Sequence, residues 1–151
     1  MDMNINYMEL KFKALSINES FARTCVASFC LQINPTIEEL NDVKTAVSEA
    51  VTNCVVHAYP HEKGEIVINC SLVDNCLTIN VKDDGIGIKD YEQARMPFFT
   101  TKPESERSGV GFAVMESFMD DLSLSKNGDR GLVVTMKKYF KSNQKLSIIG
   151  G

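Results

Sequence analysis

The chain has 151 residues, a length that fits one globular domain around one buried core. Hydrophobic residues make up 44% of it and charged residues 24%, which is ordinary for a folded protein and suggests neither an intrinsically disordered chain nor a membrane protein. The net charge of -4 argues against binding to a nucleic-acid backbone, because such surfaces need clustered Lys and Arg. We therefore expect a single domain over residues 1–151 without direct nucleic-acid contacts.

The sequence gives little indication of a membrane segment or of a metal site. No apolar run approaches the roughly 18 residues that span a bilayer, and residues 1–13 alternate in polarity instead of forming the apolar block of a signal peptide. We therefore expect a cytoplasmic protein without a membrane segment. Five cysteines at irregular spacings, with no Cys-x-x-Cys motif, favour free and mostly buried thiols over a zinc site. They are Cys25, Cys30, Cys54, Cys70 and Cys76.

The first part of the chain predicts one strand and two helices. Residues 7–15 alternate with period two, as a half-buried strand does. Asn18-Glu19-Ser20 offers N-capping groups to a helix that is predicted to end near Pro35. Thr36, followed by acidic residues that suit a helix N-terminus, begins the longest helix, which apolar spacing extends to about Tyr59.

The second part predicts two strand pairs separated by a loop and a short helix. Strands over residues 65–73 and 77–81 are joined by the turn residues Asp74-Asn75. The later elements are a loop over about 95–108, a helix over 109–119, and strands over 122–125 and 132–139 around Asn127-Gly128. This order predicts an α/β (α+β) two-layer sandwich, with helices on one face of a mostly antiparallel sheet.

A polar pair interrupts the apolar pattern of the longest helix. Glu49 and Asn53 lie four positions apart and share a face. A carboxylate there could accept a proton from an attacking hydroxyl, and an amide oxygen is a suitable hard ligand for magnesium beside phosphates. A solvated helix face would explain the pair about as often.

Asp83-x-Gly85-x-Gly87 follows directly on a strand. Its glycines permit positive φ and close approach of the backbone to a ligand. Its ionised aspartate only accepts hydrogen bonds, so it could hold an adenine amino group. A plain Asp-Gly turn is the alternative. The motif is neither a Walker A loop nor a dinucleotide fingerprint, because the required glycine spacing and Gly-Lys-Ser/Thr are absent.

A third motif, Ser108-Gly109-Val110-Gly111-Phe112, lies where the polar loop enters a helix. Free backbone N–H groups and the helix dipole favour anions at such a position, so the segment is a candidate phosphate cradle. Lys102 and Arg107 precede it, and a guanidinium can bind phosphate oxygens in a bidentate manner. Charged residues in a loop are often simply solvated, so this motif alone does not decide between the two interpretations.

Together, the three motifs occur in the order and separation of the GHKL ATPase and kinase superfamily, which the chain closely resembles. The matching segments are the N box at residues 48–53, the adenine-binding G1 box at 83–87, and the ATP lid and G2 box at 97–112. Residues 18–23 and 97–103 resemble specifically the anti-sigma F factors. The similarity extends from about Met8 to Lys138.

The resemblance implies a Bergerat-type fold and a protein-serine kinase. Such a protein would bind a sporulation sigma factor as a homodimer and use Mg-ATP to phosphorylate an anti-anti-sigma protein. Within it, Glu49 would be the general base, Asn53 a magnesium and nucleotide ligand, and Asp83 the adenine-binding carboxylate. Arg107 would approach the γ-phosphate in the transition state. The other implied nucleotide contacts are Gly85, Gly87, Thr100, Thr101, Lys102, Ser108, Gly109 and Gly111.

The resemblance also implies a partner surface on the first helix, with Glu19 and Arg23 as contacts, although ordinary exposed charges would look the same. One departure concerns the Gly-Thr pair that the superfamily commonly places near adenine, because Gly131 is followed here by Leu132. Thr135 is shifted and is not assigned to the nucleotide.

Two other functions remain open at the level of sequence. One is a partner-binding module switched by ATP or ADP without kinase chemistry, and the other is a plain ATPase. No phosphoacceptor histidine box is recognisable, because His57 and His61 follow the N box. A sensor histidine kinase is therefore not indicated.

Overall fold

The computed structural model describes residues 5–59, 64–91, 95 and 111–141. Its main elements are β1 (Ile5–Lys13), α1 (Asn18–Cys30), α2 (Ile37–Asn53), β2 (Glu65–Val73), β3 (Cys76–Asp83), α3 (Gly111–Phe118), β4 (Asp121–Lys126) and β5 (Leu132–Tyr139). A 3₁₀ turn, Leu31–Ile33, extends α1, and a π-helical turn, Cys54–Ala58, extends α2.

The described strands form one antiparallel sheet in the order β1-β2-β3-β5-β4. Alternate side chains of the central strands are fully buried, as at Ile68, Ile79 and Met136, while their neighbours on the other face are partly exposed. The buried face packs in one hydrophobic cluster with residues of all three helices, such as Val47 of α2 and Met115 of α3. The predicted fold class is confirmed: an α+β two-layer sandwich.

The central helix of the helical layer is α2, which contacts both α1 and α3. Its N-terminus has the capping box that Thr36 and the following acidic residues suggested. The Thr36 hydroxyl accepts a hydrogen bond from the Glu39 N–H at 3.0 Å, and the Glu39 carboxylate accepts one from the Thr36 N–H at 2.9 Å. These reciprocal bonds satisfy helix N–H groups that lack an intrahelical partner, so they fix where α2 begins.

The predicted N-cap of α1 is wrong. The helix begins at Asn18 after Ile17, without a side-chain cap, and the Asn18 side-chain amide donates to the Lys13 carbonyl at 2.9 Å. The predicted first strand also extends too far, since Ala14 already donates its N–H to Gly64 outside the β1–β2 ladder. The polar residues between β1 and α1 predicted that a helix begins there, but not which hydrogen bonds form.

Other boundaries follow the alternation closely. The strands predicted over 65–73 and 132–139 are confirmed in full, and β3 is longer than the predicted 77–81. The long helix departs from regular α geometry after Asn53, where the π-helical turn begins. Apolar spacing did not reveal this change because the turn continues the helical path.

All five cysteines are free, as predicted, and Cys30, Cys54 and Cys70 are buried. In the described ranges, no helix is both long and apolar enough to cross a membrane. The predicted ATP lid at about 95–108 lies outside the described residues, apart from Arg95.

Candidate functional site

The carboxylate of Asp83 lies at the end of β3, where its residue is only 2% exposed. Its Oδ1 accepts hydrogen bonds from the backbone N–H groups of Gly85 at 2.9 Å and Leu132 at 3.2 Å. The antiparallel register pairs Asp83 with Leu132, the first residue of β5. The pairing of two central strands therefore sets the position of this carboxylate.

The other carboxylate oxygen of Asp83 accepts from a thiol. Cys54, at the start of the π-helical turn, has its Sγ 3.5 Å from Asp83 Oδ2. Burial raises the pKa of Asp83, and the donors of Gly85, Cys54 and Leu132 oppose that rise. Burial, with the adjacent Asp83 charge, also raises the pKa of Cys54 well above its usual value. A neutral thiol thus donates to the carboxylate, and we call Asp83, Gly85, Cys54 and Leu132 the Asp83 cluster.

Glycines let the backbone pack closely around this cluster. A Cβ on Gly85 would lie 2.2 Å from the Ala58 carbonyl oxygen, at the end of the π-helical turn. A Cβ on Gly131 would lie 2.1 Å from the Asp83 carbonyl oxygen, and its φ of +95° also favours glycine. Positive φ within the Asp83–Gly87 motif occurs at Gly87, with a value of +75°. Close backbone contact therefore explains Gly85, and backbone conformation explains Gly87.

The turn between β4 and β5 also holds the Asp83–Gly87 loop. Asn127 Nδ2 donates to the Asp83 carbonyl at 2.8 Å, and Arg130 Nε donates to the Gly85 carbonyl at 3.0 Å. The residue pattern indicated only a turn at Asn127-Gly128, so both contacts were missed. No local signal could have revealed them, because each joins residues more than forty positions apart.

The carboxylate of Glu49 lies on α2 and is almost buried, with the residue 8% exposed. Its Oε1 would be 3.8 Å from a Cβ on Gly111, so it lies beside the first residue of α3. Asn53 is partly exposed at the end of the same helix and directly precedes Cys54. Helix α2 thus places Glu49, the predicted general base, beside α3. Its C-terminal end leads directly into Cys54 of the Asp83 cluster.

The predicted partner residues on α1 contact each other and α2. Glu19 Oε2 accepts a 2.5 Å hydrogen bond from the Ser48 hydroxyl and lies 3.5 Å from Arg23 Nη1. Arg23 also donates through Nη2 to the Ser20 hydroxyl at 3.2 Å. We call these four residues the Glu19 cluster. Ser48, which the motif reading had not singled out, directly precedes Glu49 and connects the two helices.

The remaining predicted contacts separate into two groups. Those outside the described residues are Thr100, Thr101, Lys102, Arg107, Ser108 and Gly109. Thr135, which was not assigned to the nucleotide, is described, and its hydroxyl donates to Asn80 Oδ1 at 2.7 Å on the sheet face away from the helices. It therefore does not replace the threonine missing after Gly131. At that position, Leu132 supplies its backbone N–H to Asp83 instead.

The class of the protein follows from its similarity to a family of ATP-binding domains. The family described as Histidine kinase-like ATPase domain matches residues 13–138, so the chain has the ATP-using, kinase-like domain of the GHKL superfamily. The anti-sigma F factor of Caldanaerobacter subterraneus subsp. tengcongensis is 54% identical over 139 residues, covering 92% of this chain and 97% of the relative. The anti-sigma F factor of Bacillus subtilis is 48% identical over 142 residues, covering 93% and 97%. The chain belongs to the anti-sigma F factor family.

Solved structures support the fold alone. The RsbU and RsbW domains of a Mycobacterium tuberculosis protein align with a TM-score of 0.64 at 18% identity, over 89% of this chain and 32% of that one. A mycobacterial sensor histidine kinase, MprB, aligns with a TM-score of 0.58 at 14% identity, over 88% and 98%. The resemblance inferred from the three motifs is confirmed by the family match and by the relatives of high identity.

Proposed function

We propose that this protein is a cytoplasmic anti-sigma factor and protein-serine kinase. It holds a sporulation sigma factor and transfers the γ-phosphoryl group of ATP to a serine of an anti-anti-sigma protein. The observation that carries the proposal is the arrangement along α2, where Glu49 lies beside α3 and Cys54 contacts Asp83. The names of the relatives, anti-sigma F factors, support the sigma-factor part of the proposal, and the Histidine kinase-like ATPase family supports its use of ATP.

Asp83 is the proposed adenine-binding group. A buried carboxylate that accepts from three protein donors stays oriented, and its remaining acceptor capacity suits the 6-amino group of adenine. Gly85 and Gly87 allow the loop to approach the base. Phosphate contacts are assigned to Gly111 and to the motif residues that precede it, where a helix N-terminus favours anions. Arg107 acts on the γ-phosphate.

Glu49 is the proposed general base toward the serine hydroxyl, and Asn53 is the proposed magnesium ligand. When bound, magnesium neutralises charge on the phosphate oxygens. In the described part of the chain, no three His, Cys, Asp or Glu side chains gather as a metal site. One amide oxygen beside phosphates would be enough to hold the ion, because magnesium commonly uses few protein ligands at nucleotide sites.

The proposed partner surface is the α1 side of the molecule. Glu19 and Arg23 carry opposite charges on adjacent turns, and both are partly exposed. A sigma factor or anti-anti-sigma protein that presents complementary charges could bind there. A homodimer is also proposed, on the basis of family resemblance. Ser48 joins this surface to the helix that carries Glu49.

The test uses labelled ATP, magnesium and a small anti-anti-sigma protein. Wild type is expected to label a serine of that protein. Glu49→Gln should lower transfer at least about 100-fold, the range expected for loss of a general base, while ATP affinity changes less than twofold. Glu38→Gln is the matched control, because Glu38 is exposed at the start of the same helix.

Two results would contradict the kinase proposal. If ATP binds but no label reaches the partner, a nucleotide-switched binding module becomes the better account. If phosphate is released to water at the same rate with and without partner, the protein is a plain ATPase. Undiminished transfer by Glu49→Gln would leave the kinase standing but remove Glu49 as its base.

A further inference from the structure

The π-helical turn at the end of α2 contacts the Asp83–Gly87 loop at both of its ends. Its first residue, Cys54, donates a hydrogen bond to Asp83 Oδ2, and the carbonyl of its last residue, Ala58, accepts one from the Ile86 N–H at 3.0 Å. A π-helical turn contains more residues than an α turn and redirects the side chains that follow, which is why such turns often occur at functional sites. Here it directs a thiol toward a carboxylate.

The hydrogen bonds to Asp83 distinguish its two oxygens. Oδ1 accepts from two backbone N–H groups, and Oδ2 accepts from the Cys54 thiol. An ionised carboxylate offers about four lone-pair positions, two on each oxygen. The two backbone donors fill Oδ1, so a further donor is best accommodated at Oδ2. The thiol and the ligand would therefore share one oxygen.

We propose that Cys54 is a positioning residue for adenine recognition. Its S–H occupies one side of Asp83 Oδ2 and thereby directs the other lone pair of that oxygen toward the 6-amino group of the base. A thiol is a weak donor, so it orients the carboxylate while leaving most of its negative charge for the ligand. The inference rests on the proposed role of Asp83 as the adenine-binding group.

Selectivity among purine nucleotides follows from this arrangement. Adenine presents an amino donor at position 6, whereas hypoxanthine presents a carbonyl acceptor there. Cys54 should therefore raise affinity for ATP without raising affinity for inosine triphosphate. A residue that only filled space in the core would affect both nucleotides equally.

The experiment measures magnesium-dependent binding of ATP and of inosine triphosphate by titration calorimetry. It compares wild type with Cys54→Ala, Cys54→Ser and Cys70→Ala. Cys70 is the matched control, because it is a buried free thiol on β2, 2% exposed, and the donors to the Asp83 carboxylate are Gly85, Leu132 and Cys54. Alanine removes a buried thiol at either position, but only Cys54→Ala removes the donor to Asp83.

Cys54→Ala should weaken ATP binding about threefold to tenfold, the range for one hydrogen bond, and should lower the ratio of ATP to inosine triphosphate affinity by the same factor. Cys54→Ser supplies a hydroxyl donor and should recover most of both losses. Cys70→Ala should leave the ratio unchanged.

An unchanged affinity ratio in Cys54→Ala would overturn the proposal, as would an equal drop for the two alanine variants. Failure of Cys54→Ser to recover the ratio would also overturn it, provided that the serine variant is folded by circular dichroism. If wild type binds no ATP, the proposed function itself is wrong. This outcome differs visibly from one in which wild type and Cys54→Ala bind ATP equally.

Discussion

The Asp83 cluster and the Glu19 cluster show two ways of holding a carboxylate. Two of the three described donors to the Asp83 carboxylate are backbone N–H groups, and strand register fixes one of them at Leu132. The Glu19 carboxylate is held by side chains, through its hydrogen bond with Ser48 and its ion pair with Arg23. The first carboxylate is buried, whereas the second is partly exposed.

The two clusters differ in how easily their contacts can be replaced. Moving Asp83 requires a change in the backbone of two strands, so we expect its geometry to change little when a ligand binds. The Glu19 contacts can be replaced one by one, because exposed ion pairs are worth only about 0–1 kcal/mol. We infer that the first cluster suits a constant ligand such as a nucleotide and that the second suits protein partners that come and go.

The largest effect that would test this comparison is expected at Gly131. Gly131→Ala would place a Cβ 2.1 Å from the backbone oxygen of Asp83, so we expect ATP binding to be lost and the free energy of unfolding to fall by more than about 3 kcal/mol. Gly128→Ala is the control, since Gly128 also has positive φ, +69°, but nothing lies within 4 Å of its Cβ position. It should cost about 1–2 kcal/mol of backbone strain and retain ATP binding. Urea denaturation and calorimetry measure both.

A smaller effect, confined to binding, is expected for Asp83→Asn. The amide keeps an acceptor for the N–H groups of Gly85 and Leu132 but presents a donor near Cys54 and the ligand. We expect ATP affinity to fall more than about tenfold, as for loss of a hydrogen bond to a charged group. The free energy of unfolding at pH 7 should stay within about 1 kcal/mol of wild type. A large loss of stability would show that the charge, and not the acceptor geometry, holds the loop.

The same variant has a defined pH signature. Burial raises the pKa of Asp83 in the folded chain, so the unfolded chain loses this proton first as pH rises, and folding stability falls across the interval between the two pKa values. Wild type should therefore gain stability relative to Asp83→Asn as pH falls through that interval. Its ATP affinity should decline over the same range, because protonation removes the negative charge and turns one carboxylate oxygen into a donor. Identical pH profiles for the two proteins would contradict this.

The smallest effect on the nucleotide is expected in the Glu19 cluster. Arg23→Ala should change ATP affinity less than twofold and stability by about 1 kcal/mol or less, yet weaken binding of the sigma factor about tenfold, as for a contact residue at an interface. Lys11→Ala is the control, an exposed cation on β1 that pairs with Glu65. Surface plasmon resonance measures partner binding. Equal losses of ATP and partner binding would mean that the two clusters are not separable.

Much of this architecture could be predicted from local pattern. Alternation gave β2 and β5 in full, and Thr36 with its acidic neighbours marked the start of α2. The Asp83-x-Gly85-x-Gly87 motif also led to the central carboxylate of the candidate site. These features depend on residues close together in the chain.

The contacts that surround Asp83 could not be predicted in the same way. Cys54 is 29 positions away and Leu132 is 49 positions away, so their contacts depend on helix packing and strand register. The absence of a threonine after Gly131 predicted the loss of a side-chain hydroxyl contact. In the structure, the contact at that position is made by the backbone N–H of Leu132, a group that every residue except proline has. Regular apolar spacing likewise concealed the π-helical turn.

The burial of three thiols has a practical consequence for chemical labelling. Burial raises the pKa of Cys70 to about 12, and burial together with the nearby Cys70 raises the pKa of Cys30 to about 12. The pKa of Cys54 is raised as well. Because the thiolate is the nucleophile, all three cysteines should react slowly with maleimides. Cys25 and Cys76 are partly exposed, so a Cys25→Ser variant would confine labelling to Cys76. Cys76 lies at the opposite end of β3 from Asp83. A fluorophore placed there would report on the protein while leaving the thiol beside Asp83 unmodified.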